Sequence, residues 1–162
     1  MANYIIRDIK ENYDKRLVAE ELYDCLRPVD RREIACVVDD VKREVRESLL
    51  MSDRCYAAVE KDSHALIAAW GLRKVKGEPG RLIWCLGTPR IERHWFAFAA
   101  TSRRIVMKWA RRYGRLYNAV AGFHTDARKW LEWCGARFAP AIEIRGEVFY
   151  PFEIAKGGNE DV

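Results

Sequence analysis

Apolar positions recur along this chain with two spacings, and the switches between them lay out its elements. Tyr4 to Ile9 is a short β candidate, and Val18, Leu22, Cys25 and Leu26 then fall at helical spacing until Pro28 stops the helix. Ile34, Val38, Val41 and Val45 form the apolar stripe of a second helix. Asp30 is placed to cap it, because a carboxylate there accepts from the free donors of a first turn, and Glu33 stands at N3 as in a capping box. The other faces of that helix carry Asp39, Lys42, Arg43, Glu44, Arg46 and Glu47, a pattern expected of a solvated surface. Three strands follow: Tyr56 to Glu60, Leu66 to Val75 and Leu82 to Gly87. Lys61-Asp62-Ser63-His64 and Lys76-Gly77-Glu78-Pro79-Gly80 connect them as an antiparallel meander.

Arg81 to Gly135 reads as a crossover unit. An apolar strand, Leu82-Ile83-Trp84-Cys85-Leu86-Gly87-Thr88, leads through a loop into a basic helix that ends at Tyr113-Gly114. A strand over Leu116 to Val120 and an amphipathic helix through Ala127, Trp130, Leu131 and Cys134 come next. Strand, helix and strand in that order form a right-handed crossover between parallel strands, and such units hold ligands beyond the strand carboxyl ends. A site is therefore expected near Gly87 and Thr88. Ala141 to Arg145 and Val148 to Phe152 close the chain as a hairpin about Arg145-Gly146-Glu147. The order β-α-α-β-β-β-α-β-α-β-β implies an α/β (mixed α+β) fold, with one mixed sheet of about seven strands and helices on both faces. Residues 1–155 are expected to form one domain, and 156–162 a flexible tail.

Composition narrows the class. Apolar residues make up 49% and charged residues 33% of 162, which is globular and not disordered. No long apolar stretch follows the N-terminus, so neither a signal peptide nor a membrane span is expected, and a cytoplasmic location is. The five cysteines, Cys25, Cys36, Cys55, Cys85 and Cys134, are odd in number and lack a C-x-x-C pair. Reduced thiols are expected, without a disulfide framework or zinc site. The formal net charge of +5 suits nucleic acid, an acidic partner or an anionic cofactor such as coenzyme A, and does not choose among them. Arg103, Arg104, Lys108, Arg111, Arg112 and Arg115 line the basic helix, while Ile105, Trp109 and Tyr113 are spaced for burial. No zinc finger, aromatic RNA-reading motif or recognition-helix pattern accompanies the cations, so a solvated face is expected ahead of nucleic acid.

This order of elements, with the sequence at its joints, resembles the GNAT family of N-acetyltransferases. Three segments narrow the likeness to GNAT-related internal virion proteins of short-tailed phages: Pro28-Val29-Asp30-Arg31-Arg32-Glu33-Ile34, Trp84-Cys85-Leu86-Gly87-Thr88 and Trp130-Leu131-Glu132-Trp133-Cys134-Gly135-Ala136-Arg137-Phe138. The resemblance implies acetyl-CoA as cofactor, an amine on a host protein as acceptor, and a host or virion protein as partner. It also implies a pyrophosphate loop at a helix N-terminus, where unpaired donors and the helix dipole favour anions. That loop would be His94-Trp95-Phe96-Ala97-Phe98-Ala99, with His94 in the basic position and Ala97 in place of the first glycine; the same segment can equally be an apolar helix start packed on the sheet. Arg103 and Arg104 would reach the 3′-phosphate. A backbone amide near Leu86 or Gly87 would polarise the thioester carbonyl, with Thr88 beside it. His124 stands where the family has a cofactor-contacting asparagine, and Leu131 where it has a general-acid tyrosine. Leucine cannot protonate a leaving thiolate.

Two further side chains are candidates for chemistry. Glu33 can act as base or substrate-amine ligand, or can simply complete the capping box. Asn118, on the strand after the crossover, can orient an acceptor or bond backbone. His64 lies in a turn, where exposure is expected; Trp95 and Trp133 are the tryptophans expected at a surface. Two functions stand open: acetyl transfer to an amine, and a catalytically inactive virion or interaction protein that keeps the fold. The oligomeric state stays open.

Overall fold

The structure is a computed structural model and describes residues 3–155, so the expected tail at 156–162 lies outside the described residues. The chain divides into two compact units, residues 3–73 with 83–98 and residues 74–82 with 99–155. Together they contain a mixed α/β set of eight strands and five α-helices among the described residues.

In the first unit the hydrogen-bonded order is β1 (Tyr4–Asp8), β2 (Arg54–Glu60), β3 (Leu66–Arg73) and β4 (Arg81–Gly87). β1 and β2 pair antiparallel from Tyr4↔Glu60 to Asp8↔Tyr56, and β2 and β3 do so with a register shift at Ala58/Val59. α1 (Asn12–Asp24) and α3 (Val41–Leu50) bring Leu22, Val45 and Leu49 into one core with Cys55, Ala57 and Trp84, joined by Leu26 from the connection between α1 and α2 (Pro28–Ala35). Removing those apolar groups from water is the main favourable term, at about 25 cal/mol per Å². Trp84 satisfies its indole N–H on Ser52 Oγ at 2.7 Å.

The single helix expected over Ile34 to Val45 is instead two. Asp40 caps α3 by accepting from the Arg43 N–H at 3.0 Å, so residues 36–40 leave the helix and a new one begins. Pro28 does not merely end α1. It opens α2 at a position where a missing N–H costs nothing, and the N-cap is Arg27. Asp30 therefore lies inside the first turn of α2, and the expected capping box with Glu33 does not form.

In the second unit, Arg81 and Leu82 at the start of β4 pair parallel with Leu116 and Tyr117 of β5 (Arg115–Ala121), as the crossover requires. β5 runs antiparallel to β8 (Glu147–Ala155), which also pairs with β6 (Arg137–Phe138) and β7 (Ile142–Ile144). β6, two residues long, has no periodicity that sequence could show. The β7–β8 hairpin turns at Arg145 (φ 48°) and Gly146 (φ 85°), the paired positive φ values that match the right-handed twist of the strands. The basic helix α4 (Trp95–Tyr113) and α5 (Thr125–Trp133) complete the set.

Candidate functional site

β4 ends at Gly87, where the peptide groups have specific partners. The Gly87 N–H donates to Asp30 Oδ2 at 2.9 Å, and the Gly87 carbonyl accepts from the Arg27 N–H at 2.9 Å. Asp30 is 1% exposed, and its carboxylate also accepts from Arg27 Nε at 3.0 Å. The start of α2 is thus held to the end of β4 by one backbone–backbone and one backbone–side-chain hydrogen bond, while the Arg27–Asp30 ion pair within α2 fixes the carboxylate. Burying two charges costs several kcal/mol each, and only close geometry with further hydrogen bonds offsets that cost, which this arrangement supplies. Thr88 is also engaged: its N–H donates to the Ile67 carbonyl at 2.9 Å and its hydroxyl to the Leu66 carbonyl at 2.8 Å. A buried hydroxyl and amide with partners this close have no donor to spare. Leu86 lies in the core.

Beyond Thr88 the chain enters a 3₁₀ helix, Pro89–His94, and continues without a break into α4 at Trp95. The segment His94 to Ala99, for which the resemblance implied a loop, is helical, and α4 begins four residues before Ala99. Amides in mid-run point at carbonyls three or four residues back, so a helix that continues from a preceding turn offers no open N-terminus there. The run begins instead at Thr88–Pro89, where proline has no N–H and the Ile91 N–H already donates to the Thr88 carbonyl at 3.0 Å.

The side chains of this segment face in several directions. His94 Nε2 lies 3.0 Å from Glu60 Oε2, and Arg90 and Arg93 each approach the same carboxylate at 3.4 Å. These neighbours hold the Glu60 carboxyl below its usual range, with the His94 hydrogen bond as the largest cause. Tyr4 Oη donates to the Ala97 carbonyl at 2.9 Å. Phe98 is buried edge-on against Trp70, with ring centroids 5.2 Å apart. Ala99 is buried as well, whereas Phe96 stands 88% exposed. A 650 Å³ cleft, open to solvent, lies beside this run and is lined by Cys25, Pro28, Pro89 and Arg93 among others.

Of the remaining candidates, His64, Trp95 and Glu33, which is half-buried on α2, belong to the first unit, and the others to the second. His124 is the buried N-cap of α5, its Nδ1 accepting from the Ala127 N–H at 3.4 Å. Leu131 is 4% exposed and packs as an ordinary core residue. Asn118 Oδ1 accepts from the Ala119 N–H at 2.8 Å. Arg103 lies over the Trp133 ring at 5.2 Å and donates to the Trp133 carbonyl at 3.1 Å, while Arg104 is exposed. Trp133 is 49% exposed, and Trp95 is half-buried. His64 is exposed in its turn at φ 60°.

Coenzyme A needs free backbone donors for its pyrophosphate and a free strand amide for its thioester. Gly87 and Thr88 have their N–H groups bonded within the chain, and His94 to Ala99 runs from the 3₁₀ turn into the first turn of α4 in place of a loop. Sequence reasoning missed Arg27, Glu60 and Tyr4. The one available signal was Arg27 three residues before Asp30, a spacing suited to a side-chain ion pair.

The sheet and its crossover define the fold of the GNAT N-acetyltransferases, and solved structures agree over nearly the whole chain. A GNAT-family acetyltransferase from Bacillus anthracis matches with a TM-score of 0.65 at 15% identity, covering 94% of this chain and 95% of that one. Ribosomal-protein-S5-alanine acetyltransferase from Vibrio fischeri matches at 0.65 and 14% identity, over 96% and 94% of the two chains. The dodecameric spermidine N-acetyltransferase from Vibrio cholerae matches at 0.63 and 15% identity, over 100% of each. At these identities the likeness establishes the fold. The sequence matches no family model and no curated protein sequence.

Proposed function

We propose that this chain keeps the acetyltransferase fold as a non-catalytic scaffold for binding another protein, of the host or of a virion as the sequence resemblance implies. The Asp30–Gly87 hydrogen bond carries the reading. One backbone donor aimed at a developing oxyanion is worth roughly 3 kcal/mol of transition-state stabilisation, and it acts only if nothing else holds it. Here a buried carboxylate, itself fixed by Arg27, holds the donor at the strand end. Leu131 in the core, where the family's tyrosine would stand, supports the same reading. Calorimetric titration with acetyl-CoA tests it. No binding up to millimolar cofactor is expected; micromolar binding together with thiol release in the presence of an amine would overturn it.

A second reading, transfer of an acetyl group from acetyl-CoA to an amine, is favoured by the fold match across 94–100% of the chain. Under it Glu33 would attract the acceptor ammonium and relay its proton through water. The same titration and a thiol-release assay decide between the two, because only the transfer reading predicts binding together with amine-dependent thiol release.

A further inference from the structure

We propose that the exposed face of α4 binds the phosphate backbone of nucleic acid without regard to sequence. Arg104, Lys108, Arg111 and Arg112 are all exposed, and Val106, Trp109 and Ala110 on the other side of the helix are buried. The four cations run along about 12 Å of helix, from the 1.5 Å rise per residue. None of them forms an ion pair among the described residues, and Trp95–Tyr113 contains no acidic residue.

That arrangement differs from an ordinary solvated face, which this chain also has. α3 mixes Lys42, Arg43 and Arg46 with Glu44 and Glu47, and joins Arg43 to Glu47 at 2.9 Å across one turn. Such pairs stabilise a helix, and like charges at that spacing destabilise it by similar amounts. Arg111 and Arg112 gain from the helix dipole at the C-terminal end, but Arg104 and Lys108 lie too far from it. The imbalance extends to the whole second unit. Its described residues hold thirteen Lys and Arg against six Asp and Glu, a net of +7, while those of the first unit hold fifteen against sixteen.

An acidic protein is the other polyanion this face could meet. A protein interface needs an apolar, desolvated centre anchored by large side chains, and the stripe presents only cations. Phosphate binding needs no such centre, because released counterions drive it. The proposal does not depend on whether the chain transfers acyl groups.

The test is fluorescence anisotropy of the full chain with a labelled 30-base-pair duplex of mixed sequence, between 50 and 200 mM NaCl. Four phosphate contacts predict a slope of log affinity on log salt near −3.6, which is roughly a 150-fold loss over that range. Lys108→Glu with Arg111→Glu should flatten the slope by about 2. The charge-matched pair Lys42→Glu with Arg46→Glu on α3 should leave it unchanged. Circular dichroism confirms that each variant folds. Failure to bind at 50 mM salt, an equal loss from both variant pairs, or tighter binding of polyglutamate than of DNA would each overturn the proposal.

Discussion

Asp30 and Gly87, 57 positions apart, are joined by a 2.9 Å hydrogen bond from the Gly87 N–H to the Asp30 carboxylate. That bond ties a helix start to a strand end, and it occupies the donor on which thioester chemistry at that strand end would depend. Asp30→Ala removes the carboxylate from beside a buried guanidinium and leaves the Gly87 amide without that acceptor. Breaking a buried pair from one side costs about 3–5 kcal/mol. Asp30→Asn keeps an acceptor for the Gly87 N–H but leaves the Arg27 charge uncompensated, so it should recover only part of that loss. Urea unfolding followed by circular dichroism measures both; a loss below about 1 kcal/mol for the alanine variant would contradict the account.

Glu60 gathers His94, Arg90 and Arg93, and its carboxyl is held low mainly by the His94 hydrogen bond. A depressed acid contributes stability above its unfolded pKa of about 4.3 and loses it as pH falls through the lower folded value. The thermal midpoint of the wild type should therefore exceed that of Glu60→Gln at pH 6, and the gap should close as the pH drops below about 4. A gap that persists at pH 3 would show that the carboxylate charge is not what holds the cluster.

Much of the fold was legible because it is local. The meander β2–β3–β4, the strand Arg115–Ala121 and the terminal hairpin each announce themselves through alternation and turn residues a few positions apart. The candidate site was legible only in outline. Gly87 and Thr88 sit at a strand end as expected, but the partners of their amides, Asp30 and Ile67, come from distant elements that no spacing links. Asp30 also satisfies the local rule for an N-cap, so the rule gave a complete answer, and tertiary packing gave a different one. Likewise the start of α4 was obscured because the preceding 3₁₀ turn removes the boundary that a loop would have marked.

Two glycines with nearly the same backbone angle separate conformational strain from crowding. Gly77 has φ 84° with nothing within 4 Å of a would-be Cβ, while at Gly80, φ 83°, that atom would overlap the Arg115 carbonyl oxygen. Gly77→Ala should cost only the left-handed penalty, about 1–2 kcal/mol. Gly80→Ala should cost about 1–3 kcal/mol more, because a backbone atom cannot rotate away as a side chain can. Equal unfolding free energies for the two variants would mean that the segment before β4 shifts freely against Arg115.

The five thiols should divide three and two. Cys55 and Cys134 are buried, and burial pushes each thiol up to about 12, whereas Cys25, Cys36 and Cys85 are half-buried. Only the thiolate reacts with iodoacetamide, so at pH 8 the native chain should take label at the latter three, and at all five once unfolded in urea. The same shifts set an alkaline limit. A thiol whose pKa is raised in the folded state contributes stability below its unfolded pKa of about 8.5, and loses it as pH rises toward the folded value. Between those limits the loss is about 1.4 kcal/mol per pH unit for each thiol. Urea midpoints should fall from pH 8 to pH 10 more steeply for the wild type than for Cys55→Ala or Cys134→Ala, after correction for their lower starting stability. Parallel slopes, or labelling of Cys55 or Cys134 in the native chain, would show that these two sulfurs are not shielded by the packing around them.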